Sequence, residues 1–126
     1  MDVIFYNIED YSSILKCMLS PYFLSLPFQT EYYDIVANQK DSTVSIQQSN
    51  QIQVLFYLIQ NQEIVTRRNK LNKAQSIYYI AICKDYEQGI QAVRNGSDYA
   101  LQIPLQEDKV KRCAVFLVNN IKKSFS

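Results

Sequence analysis

The stretch IYYIAICKDYEQGIQAVRNGSDYALQI, residues 77–103, contains a whole strand–helix–strand unit. Ile77 to Ile82 is a short apolar run rich in β-formers, as expected for a central strand covered on both faces. Asp85 to Arg94 reads as a helix with Tyr86, Ile90 and Val93 on one face. Asn95-Gly96 closes it with a left-handed C-terminal cap, a conformation glycine adopts without steric cost. Tyr99 to Ile103 is the next strand. Two apolar strands joined through a helix belong to a parallel sheet.

Working outward, the same alternation recurs. Val3 to Tyr6 is an apolar strand, and Asp10 or Ser12 can cap the helix after it, where Ile14, Leu15, Met18 and Leu19 fall at helical spacing. Pro21 should stop or bend that helix. Pro21 to Thr30 contains two prolines among apolar residues and reads as an ordered, partly buried connection. Tyr32 to Ala37 is a second strand, and Ser42 to Ser49 a weak helix begun by Asp41, with Val44 its clearest inward residue and Ile46 a second candidate. Gln53 to Ile59 is the strongest strand signal and is expected to be central. Asn61 to Asn72 follows as a polar helix with Ile64, Val65 and Leu71 facing inward. The final helix carries Val110, Cys113, Ala114, Leu117, Val118 and Ile121 as one stripe. Glu107 and Asp108 in its first turn, with Lys122 and Lys123 in its last, complement the helix dipole. The order is five strands alternating with five helices, which predicts an α/β sandwich around a five-stranded parallel sheet.

The chain has 126 residues, 48% hydrophobic and 20% charged, with 13 basic against 12 acidic side chains. One domain, residues 1–126, accommodates that length, and it can bury a real core. The charge balance lacks the basic excess of a typical nucleic-acid or anionic-membrane binder. There is no histidine, so Ser-His and Cys-His nucleophile pairs are excluded. Two glycines, Gly89 and Gly96, cannot build a glycine-rich phosphate loop. Cys17, Cys83 and Cys113 are widely spaced among apolar neighbours and read as buried, reduced thiols, without the paired spacing of a metal site. No metal or cofactor is expected. No apolar run reaches the roughly 18 to 20 residues of a membrane span. Asp2, Glu9 and Asp10 interrupt the N-terminal segment against a secretory signal. A cytoplasmic protein with no membrane association is expected.

Asn95-Gly96-Ser97-Asp98-Tyr99-Ala100-Leu101-Gln102-Ile103-Pro104-Leu105, followed by the acidic helix start Gln106-Glu107-Asp108, resembles the end of a bacterial response-regulator receiver domain. That family reads Gly-Ala-x-x-Tyr-Leu-x-Lys-Pro-Phe there. Lys84 to Val93 looks like the receiver's fourth helix, and Tyr33 to Asn38 with Asp41 to Val44 is similar to its second strand and helix. The likeness covers nearly the whole chain. It implies a flavodoxin-like, three-layer α/β/α sandwich with strand order 2-1-3-4-5.

The resemblance stops at the chemistry. Receivers hold Mg²⁺ with an acidic pair after the first strand and phosphorylate an Asp ending the third. A Ser or Thr ends the fourth strand, and a Lys precedes the fifth-strand proline. Mg²⁺ requires oxygen ligands, and the hydroxyl and ammonium bind phosphoryl oxygens. At these positions stand Asn7 and Ile8, Leu58 (or Tyr57 one residue earlier), Ala81 and Ile103. The aromatic that usually couples phosphorylation to the output face falls at Ala100. Glu9 and Asp10 lie close by, but they restore no acceptor. Burying Leu58 and Ile103 there is expected to make this end of the sheet drier and more stable. The connection around Pro21 to Thr30 is longer than usual, either covering a sheet edge or forming a partner surface. The segment from third to fourth strand is shorter, with Gln60-Asn61-Gln62 in place of a Pro-x-x-Asp-Gly loop.

These departures imply a pseudo-receiver that is not an enzyme and acts independently of phosphorylation, as an interaction or dimerisation module in signalling or transcriptional regulation. The resemblance implies a homodimer through the face of fourth helix, fifth strand and fifth helix. There Tyr86, Tyr99, Ala100, Val115 and Phe116 add apolar groups beyond one core stripe, so that Val115 or Phe116 must be exposed in a monomer. Another regulatory protein is a second class of partner. A DNA-binding output domain is a third, since receivers join such domains after the fifth helix. Two other readings compete. Arg67-Arg68-Asn69-Lys70-Leu71-Asn72-Lys73 is the one basic cluster, which reads as a solvated helix end or as a nucleic-acid patch. A small-molecule sensor would hold its ligand at the apolar site near Leu58.

Overall fold

The computed structural model describes residues 1–36, 52–61, Val65 and 77–124. Strand β1 spans Asp2–Tyr6, helix α1 Glu9–Phe23, strand β2 Glu31–Ile35 and strand β3 Gln53–Leu58. A single 3₁₀ turn, Ile59–Asn61, follows β3. Strand β4 is Ile77–Cys83, helix α2 Tyr86–Arg94, strand β5 Tyr99–Gln102 and helix α3 Glu107–Lys123. The five strands form one parallel sheet in the order β2-β1-β3-β4-β5, the flavodoxin-like, receiver-like arrangement expected from the sequence. Strands β3 and β4 are interior, which explains their unbroken apolar character.

Strand alternation feeds two cores, one on each side of the sheet. Val3, Phe5, Val54, Phe56, Ile80 and Ile82 pack against Leu15, Leu19 and Phe23 of α1 and the inner stripe of α3. Ile4, Tyr6, Leu55, Tyr57, Tyr79 and Ala81 pack on the other side with Val65 and Ala92. All six stripe residues of α3 are buried, and its acidic first turn and basic last turn stand as read. Val65 is also buried, as expected. The second-helix reading over Ser42–Ser49, with Val44 and Ile46, lies outside the described residues. So do Ile64, Leu71 and the Arg67–Lys73 cluster.

Several local expectations are corrected. Neither Asp10 nor Ser12 caps α1. Ile8 occupies the cap position without a side-chain hydrogen bond, and the Ser12 hydroxyl donates to the Glu9 carbonyl instead. Glu9 and Asp10 still place acid in the first turn, where the dipole favours it. Pro21 does not end α1. It lies on the exposed side within two residues of the end, and buried Phe23 anchors the final turn. Ile14 is 46% exposed and Cys17 is also exposed, so the buried face of α1 is Ser12, Leu15, Leu19 and Phe23. In α2 the inward residue is Ala92, while Tyr86 (76% exposed) and Val93 turn to solvent. Strands β2 and β5 end one or two residues early, at Ile35 and Gln102.

The Pro21–Thr30 connection packs rather than dangles. Phe23 and Leu26 join the α1-side core, and Phe28 packs against it. The N-terminal amine donates to the Gln29 carbonyl at 2.8 Å, and the Glu31 amide donates to the Met1 carbonyl at 2.9 Å. The segment therefore closes the β1–β2 end of the sheet. Leu24 is left 83% exposed.

Candidate functional site

In open parallel α/β sheets, ligands bind beyond the carboxyl ends of the strands. Here register brings the ends of β1 and β3 together. Tyr6 pairs with Tyr57, so Asn7 and Leu58 each follow a paired residue at the same edge. Asn7 has φ of 55°, a left-handed turn that asparagine tolerates, and its amide donates to the Ile35 carbonyl at 2.7 Å. Ile8 is 2% exposed in the α1-side core, whereas Leu58 and Ile103, expected to be buried, are only half-buried against the same cluster. The Ile103 amide donates to the Cys83 carbonyl at 2.9 Å, and the Ile103–Pro104 peptide is cis. Ala81 belongs to the opposite core, pairing Tyr57 on one side and Ala100 on the other. The structure thus gathers Ile8, Leu58 and Ile103 on one side of the sheet, sets Ala81 on the other, and places Asn7 in the turn after β1. Glu9 and Asp10 are exposed on α1. Among the described residues, no cluster of three or more Cys, Asp or Glu side chains could hold a metal ion. No described helix is long and apolar enough to cross a membrane.

The other region is a groove of about 520 Å³ between α2, β5 and α3. Helix α2 lines it with Tyr86, Gly89, Ile90 and Val93, β5 with Tyr99, Ala100 and Leu101, and α3 with Lys109 and Arg112. Local sequence explains its depth. A Cβ on Gly89 would sit 3.5 Å from the Ala100 Cβ and 3.5 Å from the Cys83 Sγ. The glycine and alanine thus leave room where larger side chains would fill the groove. Asp85 caps α2, accepting from the Gln88 amide at 2.9 Å, and Gly96, with φ of 112°, makes the left-handed turn that ends it.

Charges of both signs rim the groove: Asp85 and Asp98 against Arg94, Lys109 and Arg112. Tyr99 packs against Phe116 with ring centroids 5.2 Å apart and ring planes tilted by 44°. Burial, the dominant influence, and the nearby Cys113 push the Tyr99 phenol up, against a lowering pull from Arg112. Burial and, second, Asp85 push the Cys83 thiol up, which keeps it protonated and poorly nucleophilic. Cys83 donates weakly to the Leu101 carbonyl at 3.4 Å.

Of the residues expected on this face, Tyr86, Tyr99 and Ala100 line the groove. Phe116 joins them through Tyr99, whereas Val115 lies outside it and is 42% exposed. The expectation that Val115 or Phe116 must be exposed is met by Val115. Sequence reasoning missed Gly89, Asp98, Lys109 and Arg112. The signal available for the last two was their i, i+3 spacing with the inner stripe shifted by one residue. It also missed a cleft of about 440 Å³ formed by the Pro21–Thr30 segment with Ser20 and Tyr32.

The architecture first defines a class: the doubly wound, parallel α/β sandwich. Within that class it has the receiver-domain fold. The chain is similar to the receiver domain of a Francisella response regulator, 1452, at 15% identity with a TM-score of 0.59, covering 95% of this chain and 98% of that one. It is also similar to the receiver domain of NtrX from Brucella abortus, at 14% identity and a TM-score of 0.60, covering 94% and 98%. A third likeness is to the receiver domain of a DNA-binding response regulator from Colwellia psychrerythraea 34H, at 13% identity and 0.59, covering 89% and 95%. No protein-family model and no curated protein matches the sequence. At these identities the likeness establishes the fold.

Proposed function

We propose that this chain is a phosphorylation-independent pseudo-receiver, a non-catalytic interaction module in signalling or transcriptional regulation that pairs through its α2–β5–α3 face. The observation that carries the reading is the apolar rim at the ends of β1 and β3. Ile8 is 2% exposed there, and Leu58 and Ile103 pack against the core where a phosphorylated receiver would hold carboxylates and lysine. Mg²⁺ demands several oxygen ligands, and Asn7 offers one neutral side-chain oxygen. Without an acceptor carboxylate, no aspartyl phosphate forms.

The pairing half of the reading draws on the groove. Tyr86 and Val93 are exposed at its edge, and aromatic side chains are frequent interface anchors. Acid at Asp85 with base at Lys109 and Arg112 suits a two-fold contact, in which each copy sets its acid against the other's bases. Incubation with acetyl phosphate and Mg²⁺, followed by intact mass, is expected to show an unmodified chain. A covalent phosphoryl adduct would refute the reading. A concentration-independent monomer mass in sedimentation would refute the pairing half alone.

A further inference from the structure

Tyr57 immediately precedes Leu58, and strand alternation sends its side chain to the opposite face of the sheet. There its hydroxyl is hydrogen-bonded to the Ser97 hydroxyl, a contact spanning 40 positions of sequence. Both residues are buried, Tyr57 at 0% and Ser97 at 5% exposure. The small residues of the one strand between them, β4, and of β5 make the reach possible. Tyr57 pairs with Ala81, and Ala81 pairs with Ala100, so two small side chains lie across the path from β3 to β5. Ala92 of α2 is likewise buried in this core, and Tyr79 meets the Tyr57 ring edge-on at 6.4 Å.

Ser97 lies in the turn joining α2 to β5, and its neighbours are fastened too. The Gly96 amide donates to the Val93 carbonyl and the Ser97 amide to the Ala92 carbonyl. The Asp98 amide donates to the Tyr79 carbonyl, while the Asp98 carboxylate accepts from the Tyr79 amide, each at 2.8 Å. Backbone bonds thus tie the turn to α2 and β4. The Tyr57 hydroxyl adds a side-chain tie to the centre of the sheet.

We propose that Tyr57–Ser97 is a buried strap that holds the α2–β5 turn in one position, so that the groove face is presented constitutively. Moving α2 and the start of β5 away from β3 would break a hydrogen bond between two buried hydroxyls, a costly loss in a low-dielectric core. Ala100, where an aromatic would couple the two regions in a receiver, carries nothing that could swing. Tyr57 and Ser97 act as positioning residues for the groove face. The pairing consequence rests on the function proposed above, whereas the restraint on the turn does not.

Native-state amide exchange on Tyr57→Phe tests the strap, because phenylalanine keeps the ring and removes only the hydroxyl. Amides of residues 86–102 are expected to exchange about tenfold faster, while the most protected amides of α1 and α3 keep their rates. Uniform acceleration across the chain would reduce the contact to ordinary core stability and overturn the proposal, as would no change. Ser97→Ala should reproduce the local effect, and the double variant should add little to it. Additive effects would count against the strap. In sedimentation, Tyr57→Phe should weaken self-association. Unchanged self-association in a dimerising chain would overturn the strap's role in presenting the face. A chain that is monomeric at every concentration would remove the pairing reading and leave the exchange result to decide the strap.

Discussion

The rim at the ends of β1 and β3 and the groove on α2, β5 and α3 are built on the same sheet, yet they meet solvent in opposite ways. At the rim, Ile8, Leu58 and Ile103 sit in or against the core. At the groove, Tyr86 and Val93 are left at 76% and 49% exposure around small residues that keep it open. Burying apolar surface stabilises the fold, whereas leaving it exposed costs solubility unless something covers it. On the proposed function, the rim serves stability and the groove serves contact.

The largest way to break that contrast is to put a carboxylate at the rim. Ile8→Asp is expected to lower unfolding stability by about 3 kcal/mol or more, since a buried charge there has no partner. Urea unfolding measures this, and a loss below about 1 kcal/mol would mean the rim is open to water. On the groove side, Tyr86→Ala should leave stability within about 0.5 kcal/mol. It should weaken self-association by about tenfold or more, the scale of an aromatic anchor. Equal losses in both measurements would erase the distinction.

Gly89→Ala sharpens the contrast with a smaller effect. The added methyl meets its neighbours at ordinary contact distance and improves helix propensity, so stability should rise by about 0.5 to 1 kcal/mol. The same methyl makes the groove shallower, so self-association should weaken. A rise in both would show that the groove is not the contact.

The smallest effect, absent near neutral pH, concerns α3 itself. Burial pushes the Cys113 thiol well above its ordinary 9.0. The unfolded chain therefore loses that proton first as pH rises. This contribution to stability is complete below pH 9.0 and declines above it. The decline in urea midpoint beyond pH 9.0 should be shallower in Cys113→Ala. An unchanged slope would assign the alkaline loss to other groups.

Much of the architecture was legible because period and burial agree. The α3 stripe and the run from Gln53 to Leu58 follow one face, or fill both, without interruption. The misreadings have a common cause: a residue's spacing does not say which side of a short helix faces the sheet. In α2, Tyr86, Ile90 and Val93 form a fair stripe, yet close approach over Gly89 and Ala100 turns Ala92 inward instead. Ile14 and Cys17 lie on α1 beside the buried stripe and fall to the solvent side. The apolar character at Ile8, Leu58 and Ile103 is legible in the sequence itself. The Tyr57–Ser97 contact is not, because it joins residues 40 positions apart across the intervening strand β4.

The central claim is that the groove face works without phosphoryl chemistry at the rim. Sedimentation velocity across a protein concentration series, with and without Mg²⁺ and beryllofluoride, tests it most directly. The account predicts a concentration-dependent dimer whose dissociation constant is the same in both conditions. Saturable beryllofluoride binding, or a dimer that forms only when it is present, would contradict it.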